Sequence, residues 1–201
     1  VKLWGTAIGY VAMEPGEAFA RFEYDPEFAR MGIELAPLQM PVKARRIYQF
    51  PQLHPRTFHG LPGLLADSLP DKYGNQLINV WLAQTGRSES EFNAVDRLCY
   101  VGSRAVGALE YLPSMPLKGG QDQRLKMDQL VELAALAFAS RDSLNARLAD
   151  GMNSQELLEI VSVGTSAGGA RAKAVIAYNP QTREVRSGQT NLKPGFEHWL
   201  I

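Results

Sequence analysis

The chain has 201 residues, and its 21 basic side chains balance 21 acidic ones, so its formal net charge is zero. That length fits one or two domains, and 45% hydrophobic with 21% charged residues predicts a packed core and excludes a disordered chain. The charge balance also argues against a protein that coats nucleic acid or an anionic membrane over its whole surface, because such binding needs clustered Lys and Arg.

Cysteine usage and hydropathy predict a cytoplasmic protein without a membrane partner. The single cysteine, Cys99, has no partner for an intramolecular disulfide, and its apolar neighbours indicate a small buried side chain rather than a reactive thiol. No stretch approaches the roughly 18 to 20 apolar residues of a membrane helix, and no secretion leader is evident. The strand-like start at Val1 and the apolar end at Ile201 suggest that the sequence is a piece of a longer protein.

Residues 1–50 are predicted to be mainly β-structure. Residues 1–13 mix β-branched and aromatic side chains, and residues 19–24 alternate with period two after a turn at Pro15-Gly16, which predicts a hairpin. Five prolines then divide the following stretch into short edge strands or loops, because proline cannot donate to a sheet ladder; they are Pro37, Pro41, Pro51, Pro55 and Pro62.

Helical spacing begins after residue 61. Asp71 is predicted to cap a helix that Gly86 ends, and the Ser88–Glu91 spacing predicts a second helix over 89–100, ended at Val101-Gly102. A strand is expected over 106–112. The Pro- and Gly-rich stretch 113–123 then predicts a boundary between a domain at 1–113 and another at 114–201.

The second half is predicted to begin with three helices and to continue as strands. Asp128 caps the first helix, and the periodic pattern extends to Val161. A glycine-rich turn follows, then a strand over 174–178, a turn at Asn179-Pro180 and an apolar run over 196–201. The predicted fold class is α+β.

The glycine-rich stretch 162–173 is the most informative for chemistry. Its glycines allow backbone N–H groups to approach phosphate oxygens, its hydroxyls add hydrogen bonds, and Lys173 adds positive charge. The stretch matches neither the Walker A spacing nor GxGxxG. A phosphate cradle and a flexible connector therefore both remain open; the cradle would use Thr165, Ser166, Gly168, Gly169, Ala170 and Lys173.

Other polar residues are interpreted as structural. Asp67 and Asp71, four apart, suggest a carboxylate pair on one helix face, but a helix cap and a turn are favoured. The three histidines, His54, His59 and His198, lack metal-ligand spacing, so no metal site is expected. The tryptophans Trp4, Trp81 and Trp199 are interpreted as core residues. The basic cluster of Lys43, Arg45 and Arg46 is interpreted as a solvated turn.

Three segments, in this order, resemble the HipA family of serine/threonine protein kinases, the toxins of bacterial toxin–antitoxin pairs. They are FHGLPGLLADSLPD at 58–71, LCYVGSRAVGALEY at 98–111 with Pro113, and SAGGARAKA at 166–174. Residues 5–11 and 22–24 also resemble the start of that family. The resemblance implies an N-terminal subdomain of mainly antiparallel strands with packed helices, then a helical segment and the start of a kinase-like N-lobe.

The resemblance also implies ATP and Mg²⁺ as cofactors of the complete enzyme. The loop at 166–173 would cover the ATP phosphates, and Ser166 matches an autophosphorylated serine of some members, with Ser162 and Thr165 as further phosphoacceptors. Implied partners are a HipB-like helix-turn-helix antitoxin, through which DNA contact would be indirect, and a protein substrate such as an aminoacyl-tRNA synthetase.

The catalytic residues of the kinase plan are not matched in this chain and are expected C-terminal to Ile201. Lys193 is not expected to replace the ATP-binding lysine, because Pro194-Gly195 places it in a turn. We therefore expect the 201-residue chain alone to be inactive. The alternative is a non-catalytic N-subdomain that binds or neutralises a kinase partner.

Overall fold

The computed structural model describes most of the first 115 residues and two segments near the end of the chain. The described ranges are 1–84, 86–105, 107–115, 175–188 and 192–200. The chain divides into two compact units, of which the first comprises Val1–Leu69 and Ser90–Met115, and the second Pro70–Glu89 and Pro116–Ile201. The domain limits 1–113 and 114–201 stay a prediction, and the helices predicted between 128 and 161 lie outside the described residues.

One sheet of the first unit joins the two ends of that unit. Strand β1 (Lys2–Leu3) lies between β2 (Thr6–Ala7) and β6 (Leu109–Glu110), and both pairings are antiparallel. The leucines of β1 and β6 lie opposite each other and are buried. The strand predicted over 106–112 is therefore present, although its paired part is two residues long.

The other sheet of this unit contains the predicted hairpin. Strand β3 (Gly9–Ala12) pairs antiparallel with β4 (Arg21–Tyr24), which pairs in turn with β5 (Ile47–Tyr48) at the edge. Side chains alternate along β4, so Phe22 and Tyr24 are fully buried while Arg21 is exposed. The short β5 confirms that the proline-rich stretch provides an edge strand.

The inward face of this sheet carries an aromatic cluster around Tyr24. Its ring lies 4.9 Å from Phe22 and 5.9 Å from Tyr48, both edge-on, and 6.0 Å from Phe28 in a stacked arrangement. The Tyr24 hydroxyl donates to the Met40 carbonyl at 2.9 Å, and burial raises the pKa of Tyr24 to about 12. The cluster thus fixes both the sheet and the loop that crosses beneath it.

Short helices cover the rest of this core. Asp25 caps α1 (Pro26–Ala29) by accepting from the backbone N–H groups of Glu27 and Phe28. The next two helices, α2 (Pro55–Phe58) and α3 (Gly63–Ala66), are single turns. These helices place Phe28 and Leu65 in the core.

The second predicted helix is present, but its predicted start is wrong. Residues Glu89–Glu91 form a 3₁₀ turn, and α5 (Ala94–Val101) begins only after Asn93. Asn93 and Asp96 form the capping box instead of Ser88 and Glu91. The Asn93 amide also donates to the Met13 carbonyl at 3.3 Å, so a contact distant in sequence favours this start. Gly102 ends the helix as predicted.

A tight corner at His59-Gly60 connects α2 to α3 and contacts the hairpin. Both residues have positive φ, 51° and 77°, and the Gly60 carbonyl accepts from the Ala20 N–H at 2.8 Å. A Cβ on Gly60 would lie 2.1 Å from the Ala18 carbonyl oxygen. Only glycine fits this corner without displacement of the backbone.

The second unit contains one described helix and one described sheet. Asp71 precedes α4 (Lys72–Gln84), and its Oδ1 accepts from the Gly74 N–H at 2.8 Å, which confirms the predicted cap. Gly86 follows the helix with φ 69°, as predicted. In the sheet, β7 (Val175–Asn179) lies between β8 (Glu184–Ser187) and β9 (Glu197–Leu200), all antiparallel.

These elements confirm an α+β fold with antiparallel sheets. Strands at 175–179 and 197–200 match the predicted strand and apolar run, and Asn179 starts the predicted turn by accepting from the N–H groups of Gln181 and Thr182. Strand β8 was not predicted. None of the helices in the described ranges has the length and apolar character needed to cross a membrane.

We expect Gly60→Ala to destabilise the protein by about 3 kcal/mol or more, because it adds a steric clash with Ala18 to the cost of a positive φ. Gly16→Ala is the matched control: Gly16 also has a positive φ, 86°, but a Cβ there has no atom within 4 Å. It should cost about 1 kcal/mol. Urea unfolding followed by circular dichroism measures both, and equal losses would contradict this explanation.

Candidate functional site

The residues predicted to bind ATP phosphates lie outside the described residues. They are Thr165, Ser166, Gly168, Gly169, Ala170 and Lys173, together with the further phosphoacceptor Ser162. Their role therefore stays a prediction. What the structure describes is the sheet that follows this glycine-rich segment.

The sheet β8-β7-β9 brings two points of the chain to the same end. Val175, where β7 begins, lies opposite Leu200, where β9 finishes, and its carbonyl accepts from the Gly188 N–H at 2.9 Å. The central strand is anchored, since Ile176 and Ala177 are buried. The start of β7 and the end of β9 therefore lie at the same end of the sheet.

Lys193 lies toward the opposite end of this sheet. It precedes the turn at Pro194-Gly195, where Gly195 has φ 86° and the Phe196 N–H donates to the Lys193 carbonyl. A Cβ on Gly195 would lie 3.1 Å from the Asn179 side chain, which is at the far end of β7. The expected turn at Lys193 is thus confirmed.

The two aspartates of the LADSLPD stretch belong to different helices. Asp67 ends α3, whereas Asp71 caps α4, and the Asn75 side chain donates to the Pro70 and Asp71 carbonyls. The suggestion of a carboxylate pair on one helix face is therefore wrong. Ser68 between them accepts from the buried Tyr111 hydroxyl at 2.8 Å, so this stretch connects helices rather than forming an acid–base site.

Histidine and cysteine side chains provide little further chemistry. Within the described ranges, no group of three or more His, Cys, Asp or Glu side chains is arranged to hold a metal ion. Cys99 is half-buried, and burial raises the pKa of its thiol, which favours the unreactive form. Burial, with a smaller effect of Arg97, lowers the pKa of His59.

The basic cluster forms a turn, as predicted. Arg45 has φ 61°, Lys43 and Arg45 are exposed, and the Arg46 guanidinium lies 4.8 Å from the centre of the Tyr48 ring. This contact places Arg46 over the edge of the aromatic core. The cluster is therefore partly structural.

The interpretation of the tryptophans as core residues is wrong for two of them. Trp4 is 81% exposed and has φ 49°, because it occupies the two-residue turn between β1 and β2 with Gly5. Trp199 is 49% exposed in the edge strand β9, where its ring lies 5.6 Å from Tyr178 in an edge-on arrangement. An apolar sequence environment did not distinguish a turn or an edge from a core.

The outward face of the β3-β4-β5 sheet carries exposed apolar side chains that sequence reasoning missed. Tyr10 and Ile47 are 63% and 61% exposed, and Glu23 lies between them as the cross-strand neighbour of both. The alternation along β3 and β4 contained the signal, because residues at odd and even positions face opposite sides. No comparable signal existed for β5, because only its pairing with β4 places Ile47 beside Glu23.

Comparison with protein-family models gives a match over residues 1–112 to the HipA N-terminal domain. The chain belongs to the HipA family. HipA proteins are toxins of toxin–antitoxin systems, and the family thus associates this chain with an antitoxin partner. The match covers both sheets of the first unit and ends before the glycine-rich segment. No curated protein and no solved structure matches the chain.

Asp25, at the edge of the outward face of the HipA N-terminal domain, has a lowered pKa. The Glu27 N–H has the largest effect on the pKa of Asp25, and the Phe28 N–H and Tyr10 hydroxyl lower it further. The Tyr10 hydroxyl donates to Asp25 Oδ2 at 3.0 Å. Because the folded pKa is lowered, Asp25 stabilises the fold above its ordinary pKa of about 3.9, and this stabilisation is lost as the pH falls through the folded value.

We expect Tyr10→Phe to raise the pKa of Asp25 only in part, because the helix N–H groups remain. Asp25→Asn keeps a side-chain oxygen that caps the helix but does not titrate, so the free energy of unfolding should fall less steeply as the pH is lowered. Side-chain carboxyl NMR titration measures the first effect, and urea unfolding at several pH values measures the second. A full return of Asp25 to its ordinary pKa in Tyr10→Phe would contradict the dominance of the Glu27 N–H.

Proposed function

We propose that this chain is the N-terminal part of a HipA-like serine/threonine kinase, which transfers the γ-phosphate of ATP to a protein Ser or Thr. The observation that carries this proposal is the family match over residues 1–112. An aminoacyl-tRNA synthetase is the proposed class of substrate. A helix-turn-helix antitoxin is the proposed partner, through which contact with DNA would be indirect.

The arrangement of the second sheet supports an ATP site at one of its ends. The glycine-rich segment leads into the central strand β7, and β9 finishes at the same end of the sheet. Phosphoryl transfer depends on positioning and on neutralising phosphate charge. A lysine after β9 would therefore act beside the glycine-rich segment. Lys193 would not, because it lies toward the opposite end of the sheet.

The donors of the segment suit phosphate rather than metal. Residues 162–173 contain hydroxyls, glycine N–H groups, Arg171 and Lys173, but no carboxylate. Thr165, Ser166 and the backbone of 168–170 would bind phosphate oxygens, which leaves the ligands of Mg²⁺ to residues C-terminal to Ile201. Bound Mg²⁺ would neutralise charge on the transferred phosphate.

Phosphorylation of Ser166 is the proposed means of regulation. A phosphate adds about −1.5 to −2 charges at neutral pH. On a loop that binds ATP phosphates, this charge would repel the nucleotide, so autophosphorylation would switch the kinase off.

The extent of the family match also favours a second candidate function. The match ends at residue 112, before the glycine-rich segment, and so corresponds to the N-terminal subdomain alone. Such a subdomain could bind or neutralise a kinase partner without any catalysis. Nucleotide binding at residues 162–173 distinguishes the two functions, since a pure binding module has no need of it.

We expect the 201-residue chain to bind a fluorescent ATP analogue weakly and to transfer no phosphate from labelled ATP above a blank without protein, because the catalytic carboxylates are not in it. Lys173→Ala should weaken the binding by about tenfold through loss of one charge contact. The matched control is Lys193→Ala, which should leave binding unchanged. Absence of nucleotide binding would favour the interaction module.

We expect the protein expressed from its complete gene to autophosphorylate at Ser166. Phosphopeptide mapping by mass spectrometry should locate the phosphate, and Ser166→Ala should abolish it while Ser162→Ala leaves it in place. A phosphate on Ser162 or Thr165 in the unaltered protein would contradict the assignment to Ser166. The same mapping on a variant that lacks the catalytic aspartate distinguishes autophosphorylation from modification by the expression host.

A further inference from the structure

The outward face of the β3-β4-β5 sheet has an unusual order of side chains across its strands. Tyr10, Glu23 and Ile47 form one row, in which each is the direct cross-strand neighbour of the next. Both apolar members are more than 60% exposed. Large exposed apolar side chains grouped on one face are typical of interaction surfaces.

The central carboxylate restricts what binds there. Glu23 makes no ion pair or hydrogen bond through its side chain within the described part of the chain. The cation on the same face, Arg21, is paired with Glu17, and the neighbouring Asp25 accepts from Tyr10. A partner that covers both Tyr10 and Ile47 also covers Glu23, and burial of an unpaired carboxylate is unfavourable. The partner must therefore bring a cation to the centre of its apolar contact.

The spacing of the row favours a helix over a strand as the partner element. Neighbouring strands lie about 4.8 Å apart, so the row spans about 10 Å from Tyr10 to Ile47. Positions i, i+3 and i+7 of a helix share one face and span about 10.5 Å. Residues on one face of an extended strand are about 6.8 Å apart, which does not match the row.

Other occupants fit this charge less well. A symmetric dimer formed through this face would bring the two Glu23 carboxylates toward each other, and like charges in an interface are repulsive. An anionic membrane surface would be repelled by Glu23, Asp25 and the exposed Glu27. A basic protein segment is the occupant that the charges favour.

We propose that this face docks an amphipathic helix of a partner protein, with a Lys or Arg at i+3 or i+4 between apolar residues at i and i+7. The helix lies across the strands, its cation pairs with Glu23, and its two apolar side chains contact Tyr10 and Ile47. This docking does not depend on nucleotide binding by residues 162–173.

The test uses the 201-residue chain and two synthetic peptide helices. One peptide has Leu, Lys and Leu at i, i+3 and i+7 of an Ala/Gln background, and the other has Glu in place of Lys. Fluorescence anisotropy of the labelled peptides should show that the chain binds the Lys peptide about tenfold more tightly than the Glu peptide. That preference should weaken with added salt.

Charge reversal then tests the role of Glu23. Glu23→Lys should invert the preference, so that the Glu peptide binds more tightly, whereas Glu91→Lys, an equal charge change on the 3₁₀ turn, should keep the original preference. Ile47→Ser should weaken the binding of both peptides. Thermal unfolding checks that each variant is folded. If Glu23→Lys is not folded, Glu23→Gln replaces it and is expected to remove the preference for the Lys peptide.

Three results would overturn the proposal. They are equal binding of both peptides by the unaltered chain, an unchanged preference in Glu23→Lys, and self-association of the chain that Glu23→Lys alters. Backbone NMR shifts of the labelled chain on addition of the Lys peptide locate the contact. Shifts confined to residues 9–12, 21–24 and 47–48 would support it, and shifts elsewhere would exclude it.

Discussion

The Tyr24 side chain joins the parts of the first unit into one core. Its ring packs against aromatic rings from β4, α1 and β5, and its hydroxyl is satisfied by the Met40 carbonyl in the loop between α1 and β5. A buried phenol without such a partner would be unfavourable, so the loop path and the sheet depend on each other. Most of the buried side chains of this unit belong to the same cluster.

This one-sided core gives the sheet two different faces. Because side chains alternate along β4, the register that buries Phe22 and Tyr24 also directs Glu23 outward. Strand pairing then aligns Glu23 with Tyr10 and Ile47. The row on the outward face is therefore a consequence of the register of the core. A shift of one residue in that register would exchange the two faces.

Local signals predicted what local chemistry decides. The cap at Asp71, the stops at Gly86 and Gly102 and the hairpin across Pro15-Gly16 are correct, because each depends on a few neighbouring residues. The start of α5 was missed by five residues. Ser88 and Asn93 both offer capping spacings, and the hydrogen bond from Asn93 to Met13, far away in sequence, distinguishes them.

Exposure was the least predictable property. Trp4 and Trp199 lie in apolar runs, yet one occupies a turn and the other an edge strand. A run of apolar residues shows that a segment is available for burial, while its neighbours in the fold decide whether burial occurs. Strand β8 was missed because only Val185 among its four residues is apolar, so the strand is defined by its pairing with β7.

The amino-acid sequence by itself determined the α+β class, the neutral charge, most caps and turns, and the resemblance to HipA that the family match over residues 1–112 confirms. These features reside in composition and in short motifs. Only the tertiary structure decided that Asp67 and Asp71 belong to separate helices, that Lys193 lies at the far end of its sheet, and that Glu23 stands between two exposed apolar side chains. Each of these depends on strand register and chain path, which are set by contacts between residues far apart in the sequence.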